Sequence, residues 1–127
     1  MKRWTFTAAD GVPDPVAPYA HATEANGLLC VTGQMPIDPA SGALALGGVA
    51  EQTDQVMRNL ARVLELCDSD LGRVLHARAY LVSMELFDAF NAAYERWFPA
   101  GLPARTCVAV DGLAVGALVE VDLLVAR

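Results

Sequence analysis

Between Val49 and Cys67 the apolar residues Val56, Met57, Leu60, Val63, Leu64 and Cys67 recur every three or four positions. Glu51, Asp54, Arg58, Arg62 and Glu65 fall mostly between them. This spacing predicts an amphipathic helix that buries one face and is broken by Asp68-Ser69-Asp70. Leu86, Phe87, Phe90, Ala93, Tyr94 and Trp97 repeat the pattern until Pro99 and Gly101 end it, predicting a second helix. Elsewhere the period drops to two. Val119, Val121, Leu123 and Val125 alternate with Leu118, Glu120, Asp122 and Leu124, predicting a strand over Leu118 to Ala126. Val74 to Val82 and Thr106 to Val110 read as β-rich runs. Tyr19 to Ala25 and Leu28 to Thr32 flank Asn26-Gly27, which supplies the positive φ angles of a tight hairpin turn.

The intervening segments carry breakers. Pro13, Pro15 and Pro18 keep Val12 to Pro18 extended. Gly33 to Gly48 mixes Pro36, Pro39, Ser41, Gly42, Gly47 and Gly48, and predicts a long loop of the kind that often carries function. The element order is therefore ββαβαββ in a single domain over residues 1–127, with two helices able to cover one sheet face.

That architecture leaves the other sheet face to be explained, and composition sharpens the problem. Apolar residues make up 54% of the 127-residue chain against 19% charged, too apolar for a sheet face that merely meets water. Packing of copies sheet to sheet is the economical expectation. Arg105, Cys107, Glu120 and Asp122 are assigned to this uncovered face. The net charge of −6 provides no basic footprint for a phosphate backbone. Of nine basic residues only Lys2 is lysine, which argues against Schiff-base chemistry and favours two-point carboxylate binding by arginine. Cys30, Cys67 and Cys107 are odd in number and widely spaced, unlike a disulfide framework or zinc knuckle. With no apolar run of membrane-spanning length, a cytoplasmic protein is expected.

Arg105 and Cys107 share a strand face, as do Glu120 and Asp122. Should the two strands pair, an arginine, a thiol and two carboxylates come together. One reading is an Arg105–Glu120 ion pair, within a chain or across a subunit contact. The other is a pocket where Arg105 holds a substrate carboxylate and Glu120 handles a water. Cys107 beside a guanidinium invites a nucleophilic role, yet a cysteine in a valine-rich strand is usually a small core residue. His21 and His76 are not grouped with the further ligands a metal requires. His76 reads as a hydrogen-bonded structural histidine, while His21, two residues from Tyr19, stays open. The stripe of Phe87, Phe90, Tyr94 and Trp97 reads as core packing.

Several segments in order carry a family resemblance: Pro18-Tyr19; Thr32-Gly33-Gln34-Met35-Pro36-Ile37-Asp38-Pro39 with Ser41-Gly42; Glu51-Gln52-Thr53; and Asn59-Leu60. Phe87 with Asn91 and Tyr94, Pro103-Ala104-Arg105-Thr106 and Gly116-Ala117-Leu118-Val119-Glu120 complete the series. Together they resemble the RidA/YjgF family of reactive-intermediate deaminases from about Pro18 onward. The resemblance implies a chorismate-mutase-like α+β fold with a mixed sheet and two helices on one face. It also implies a homotrimer with sheets inside, helices outside and a site at each subunit interface.

The activity implied is hydrolysis of 2-imino acids, tautomers of enamines, to 2-keto acids and ammonia, without metal or cofactor. In this resemblance Arg105 grips the substrate carboxylate and Glu120 positions the attacking water, while Tyr19, Thr32, Gly33, Phe87, Asn91 and Cys107 line the pocket. Ala17, Ala20 and His21 depart from the family's usual glycine, serine and glutamine, and Thr32 stands for serine. A trimer that binds small carboxylates without catalysis, or acts as a chaperone, is the alternative. Endoribonuclease activity fits the acidic balance poorly.

Overall fold

In the computed structural model, which describes residues 1–127, Asn26 and Gly27 adopt φ of 52° and 75°, the left-handed pair of a tight hairpin. They join β2 (Ala22–Ala25) to β3 (Leu28–Gln34) in antiparallel register, Ala22 opposite Val31. The sequence predicts no strand before this hairpin. The structure adds β1 (Lys2–Trp4), which pairs antiparallel along the outer edge of β2.

Downstream lie α1 (Val49–Leu66), β4 (Val74–Leu81), α2 (Phe87–Glu95), β5 (Ala104–Ala109) and β6 (Val119–Ala126). The start of α1 is capped by Glu51, whose carboxylate accepts from the Gly48 amide at 2.8 Å. The six strands form one sheet in the order β1-β2-β3-β6-β4-β5, with β4 and β5 parallel and every other pair antiparallel. This is the mixed sheet of an α+β domain.

Period-two alternation divides the sheet cleanly. Leu29, Val31, Ala77, Ala79, Leu81, Val119, Val121, Leu123 and Val125 are buried on one side. They pack against Val56, Met57, Leu60, Val63 and Leu64 of α1 and Phe90 and Tyr94 of α2 in one core. Each of the Val, Leu, Met and Phe side chains contributes about 1.5–3 kcal/mol of transfer free energy, so this face fixes the strand register. No helix is long and apolar enough to cross a membrane.

Two expectations are corrected by the topology. The strands carrying Arg105 and Glu120 do not pair, because β4 lies between them. Arg105 and Cys107 also do not share the uncovered face with Glu120 and Asp122. Arg105 and Cys107 are in register with the buried Ala77 and Ala79, which puts them on the helix side. Glu120 and Asp122 are in register with Tyr80 and Arg78 on the open side.

Polar residues on α1 anchor the connections. Asn59 donates to the carbonyls of Met35 (3.1 Å) and Ile37 (2.9 Å), and Gln52 accepts from the Leu118 amide (2.9 Å). The helix thereby holds both the loop leaving β3 and the entry to β6.

Candidate functional site

Arg105 lies on β5, at the edge of the sheet, with its guanidinium over three rings of the helix layer. The centroids of Phe87, Phe90 and Tyr94 are 5.7, 5.3 and 5.0 Å from its central carbon. Ring faces attract a cation and orient it while leaving its N–H donors unspent. None of the four ion pairs of the chain includes Arg105.

Around it Asn91, Tyr94, Glu95, Leu102 and Pro103 complete a pocket of about 280 Å³. Tyr94 is 3% exposed, yet its hydroxyl lacks a hydrogen-bond partner, as does the buried Oδ1 of Asn91. Buried polar atoms left unpaired are costly, so their convergence beside a guanidinium with no ion-pair partner suits a polar ligand. The guanidinium and the Tyr94 hydroxyl can donate to an anion, and Asn91 Oδ1 can accept. Tyr94 belongs to the stripe read from the sequence as core packing. Its ring is core, but its hydroxyl serves the pocket, a distinction that helical periodicity does not carry.

Cys107 sits two residues along β5 on the same side. Burial raises its thiol above the ordinary value, outweighing the opposing pull of the Arg105 charge. It is held as a thiol rather than prepared as a thiolate, and it lies outside the residues that line this pocket.

A second cluster occupies the open face. Between Val31, opposite Leu123, and Gln34, opposite Val121, the two residues Thr32 and Gly33 face a single partner position. This bulge brings the Gly33 backbone against Glu120. A Cβ at position 33 would lie 2.6 Å from Oε2 of Glu120, so only glycine permits this approach. Burial, and secondarily the charge of Asp122, raises the Glu120 carboxyl above its ordinary value. Thr32 and Gly33, with Ala20, Cys30, Arg78 and Asp122, border an open concavity of about 620 Å³.

Tyr19 and His21 precede β2. The Tyr19 hydroxyl accepts from the Val16 amide at 3.2 Å, and its ring meets that of His21 edge-on at 5.9 Å. His21 is fully buried. Its Nδ1 accepts from the Phe6 amide at 3.0 Å, which leaves Nε2 to donate to the Pro13 carbonyl at 3.1 Å. With both ring nitrogens engaged, His21 clips the N-terminal segment and supports Tyr19 from behind. His76, on the open face, contacts the Thr106 hydroxyl at 3.3 Å.

The family model described as Endoribonuclease L-PSP matches residues 10–127. A RutC family protein of Pyrococcus horikoshii is 35% identical, covering 98% of this chain and 97% of its own. The 2-iminobutanoate/2-iminopropanoate deaminase of Mus musculus is 32% identical, covering 88% of this chain and 83% of its own. The crystal structure of RidA from the Antarctic bacterium Psychrobacter sp. superposes with a TM-score of 0.92 at 25% identity, covering 99% of this chain and all of that one. Fold, motif order and full-length likeness agree: the chain belongs to the RidA/YjgF family.

Proposed function

We propose that this protein hydrolyses reactive 2-imino acids, the tautomers of enamines such as 2-aminoacrylate, to 2-keto acids and ammonia. The observation that carries the reading is the Arg105 pocket: an orphan guanidinium beside the unpartnered Tyr94 hydroxyl and Asn91 Oδ1. It matches a small ligand with a carboxylate at one end and a polar nitrogen near it.

Arg105 holds the carboxylate by two parallel hydrogen bonds and so fixes the imine carbon. Glu120 takes a proton from a water as that water adds to the carbon, forming a carbinolamine. That proton passes to the imine nitrogen to complete the carbinolamine. Glu120 then relays the proton of the carbinolamine hydroxyl to the same nitrogen as the C–N bond breaks and the carbonyl forms, and ammonia leaves the 2-keto acid. A carboxyl raised by burial is suited to this relay, since it takes a proton from water more readily than an exposed one. An imine hydrolyses in water unaided, so orientation and one proton relay suffice, and Cys107 need supply no nucleophile.

Arg105 and Glu120 occupy opposite sides of one sheet, so they do not converge within a chain. The site is completed between copies in a homotrimer, where the open face of one subunit meets the β5 edge of the next. Thr32, Gly33 and Tyr19 come with Glu120; Phe87, Asn91 and Cys107 come with Arg105. The activity for which the mouse relative is named supports the reaction class.

The test generates 2-aminoacrylate and its longer homologues in situ and follows 2-keto acid release. Accelerated release that is lost in Glu120→Gln is expected. Absence of acceleration with any imino acid, alongside measurable 2-keto acid binding, would establish a carboxylate binder instead.

A further inference from the structure

Four residues of the open face, Arg78, Tyr80, Glu120 and Asp122, form a connected electrostatic unit. Arg78 Nε donates to Asp122 Oδ1 at 2.8 Å, and the Tyr80 hydroxyl donates to Asp122 Oδ2 at 2.9 Å. Both oxygens of Asp122 are thus committed to β4, and its carboxylate is held in one orientation. Tyr80 is directly opposite Glu120 in the β4–β6 register, as Arg78 is opposite Asp122. Glu120 and Asp122, two residues apart on β6, project from the same face.

Folding of the single subunit does not account for this arrangement. In one subunit the Arg78 side chain is 61% exposed, and an ion pair so placed contributes little to folding because water screens it. Two carboxylates on one face also cost repulsion that a single one would avoid. The arrangement instead has a consequence for Glu120. From β6 the charged group facing it is Asp122; from β4 it is met by Tyr80, with Arg78 beyond; from β3 the bulge presents Thr32 and Gly33, which do not titrate. In the homotrimer proposed above the next copy brings the Arg105 guanidinium, which is common to every variant compared below.

We infer that Asp122 is a positioning residue whose held carboxylate acts on Glu120 along one face of β6, and that Arg78 and Tyr80 set how strongly Glu120 feels the Asp122 charge. The unit works as an opposed pair of controls: Asp122 pushes negative charge toward Glu120, and Arg78 withdraws part of it. The Asp122 contribution to the raised Glu120 carboxyl agrees with this geometry. Burial keeps the Tyr80 hydroxyl protonated, as its donor role requires. A proton relay depends on this balance, because a carboxylate that never holds a proton cannot return one to nitrogen. The inference rests on the role of Glu120 proposed above.

Two readouts on the full-length protein test it. The first is the titration of the Glu120 side-chain carboxyl by carbon NMR, which needs no turnover. Asp122→Asn moves the Glu120 midpoint to lower pH, Arg78→Met moves it to higher pH, and Arg78→Lys restores the native midpoint. The second is the acid limb of the kcat/KM profile for imine hydrolysis, which moves in the same directions. Movement of Asp122→Asn and Arg78→Met in the same direction, or no movement in either, overturns the inference. Should either variant alter folding, the double variant Arg78→Met with Asp122→Asn keeps the test open, because it must titrate like Asp122→Asn alone. An acid limb that persists in Glu120→Gln would overturn the catalytic role of Glu120, while the NMR titration still decides the control by Asp122.

Discussion

The two polar clusters of this protein are built by opposite means. At the β5 edge a charged group is held by aromatic faces, and the polar atoms around it are left unsatisfied. On the open face a charged group is pressed against backbone at a bulge, beside a carboxylate whose own bonds are complete. The first has the character of a ligand grip waiting for its anion, and the second that of a proton relay with its electrostatics set in advance. Neither contains what the other supplies. Because the sheet separates them within one chain, a reaction that uses both requires the proposed assembly, in which one copy brings the grip and the next brings the relay.

The comparison breaks most severely at Arg105. Arg105→Lys keeps the charge but loses the two-point contact, and kcat/KM for a small 2-imino acid is expected to fall by about 10²–10³-fold. Far-UV circular dichroism should stay native, because Arg105 belongs to no ion pair of the fold. Retained activity would remove Arg105 from the grip.

Next in size is Gly33→Ala. The new methyl would sit 2.6 Å from Glu120 Oε2, so the carboxylate must turn away. A displacement of about 1 Å at a reacting group costs about 10²-fold in kcat. Steady-state kinetics should show that loss in kcat, with 2-keto acid affinity at the Arg105 side little changed.

The smallest effect on chemistry and a clear one on stability belong to His21. His21→Ala removes both hydrogen bonds that clip Phe6 and Pro13 and leaves a cavity, a loss of about 2–4 kcal/mol measurable by urea denaturation. A variant of unchanged stability and altered substrate preference would instead make His21 a pocket residue.

Much of this layout follows from local chemistry. The helix expected from Val49 to Cys67 runs Val49–Leu66, because its apolar stripe and its stop at Asp68 are both encoded locally. Asn26-Gly27 likewise dictates its own turn. The three residues of β1 are too few to show alternation, and they form a strand only because β2 offers an edge. The bulge that extends β3 to Gln34, beyond the Thr32 expected from the sequence, arises in the pairing with β6.

The face of Arg105 was illegible for a related reason. Period two assigns Arg105 and Cys107 to a common face, but which face depends on register with β4, a partner remote in sequence. His21 shows the same limit. Its partners Phe6 and Pro13 come from an irregular segment, so no spacing rule reveals that its ring nitrogens are already engaged. The aromatic stripe on α2 was legible as core, whereas the orphan Tyr94 hydroxyl emerges only once Arg105 is placed above it.

The central claim, that one copy supplies Arg105 and the next supplies Glu120, is tested most directly by mixing subunits. Arg105→Ala and Glu120→Gln homotrimers are each expected to be inactive. Exchange of their subunits at equal amounts should restore intact sites at about one quarter of the interfaces, with activity to match. A mixture in which mass spectrometry shows exchanged trimers but hydrolysis stays at the level of the separate variants would contradict the account, since both residues would then have to act from the same chain.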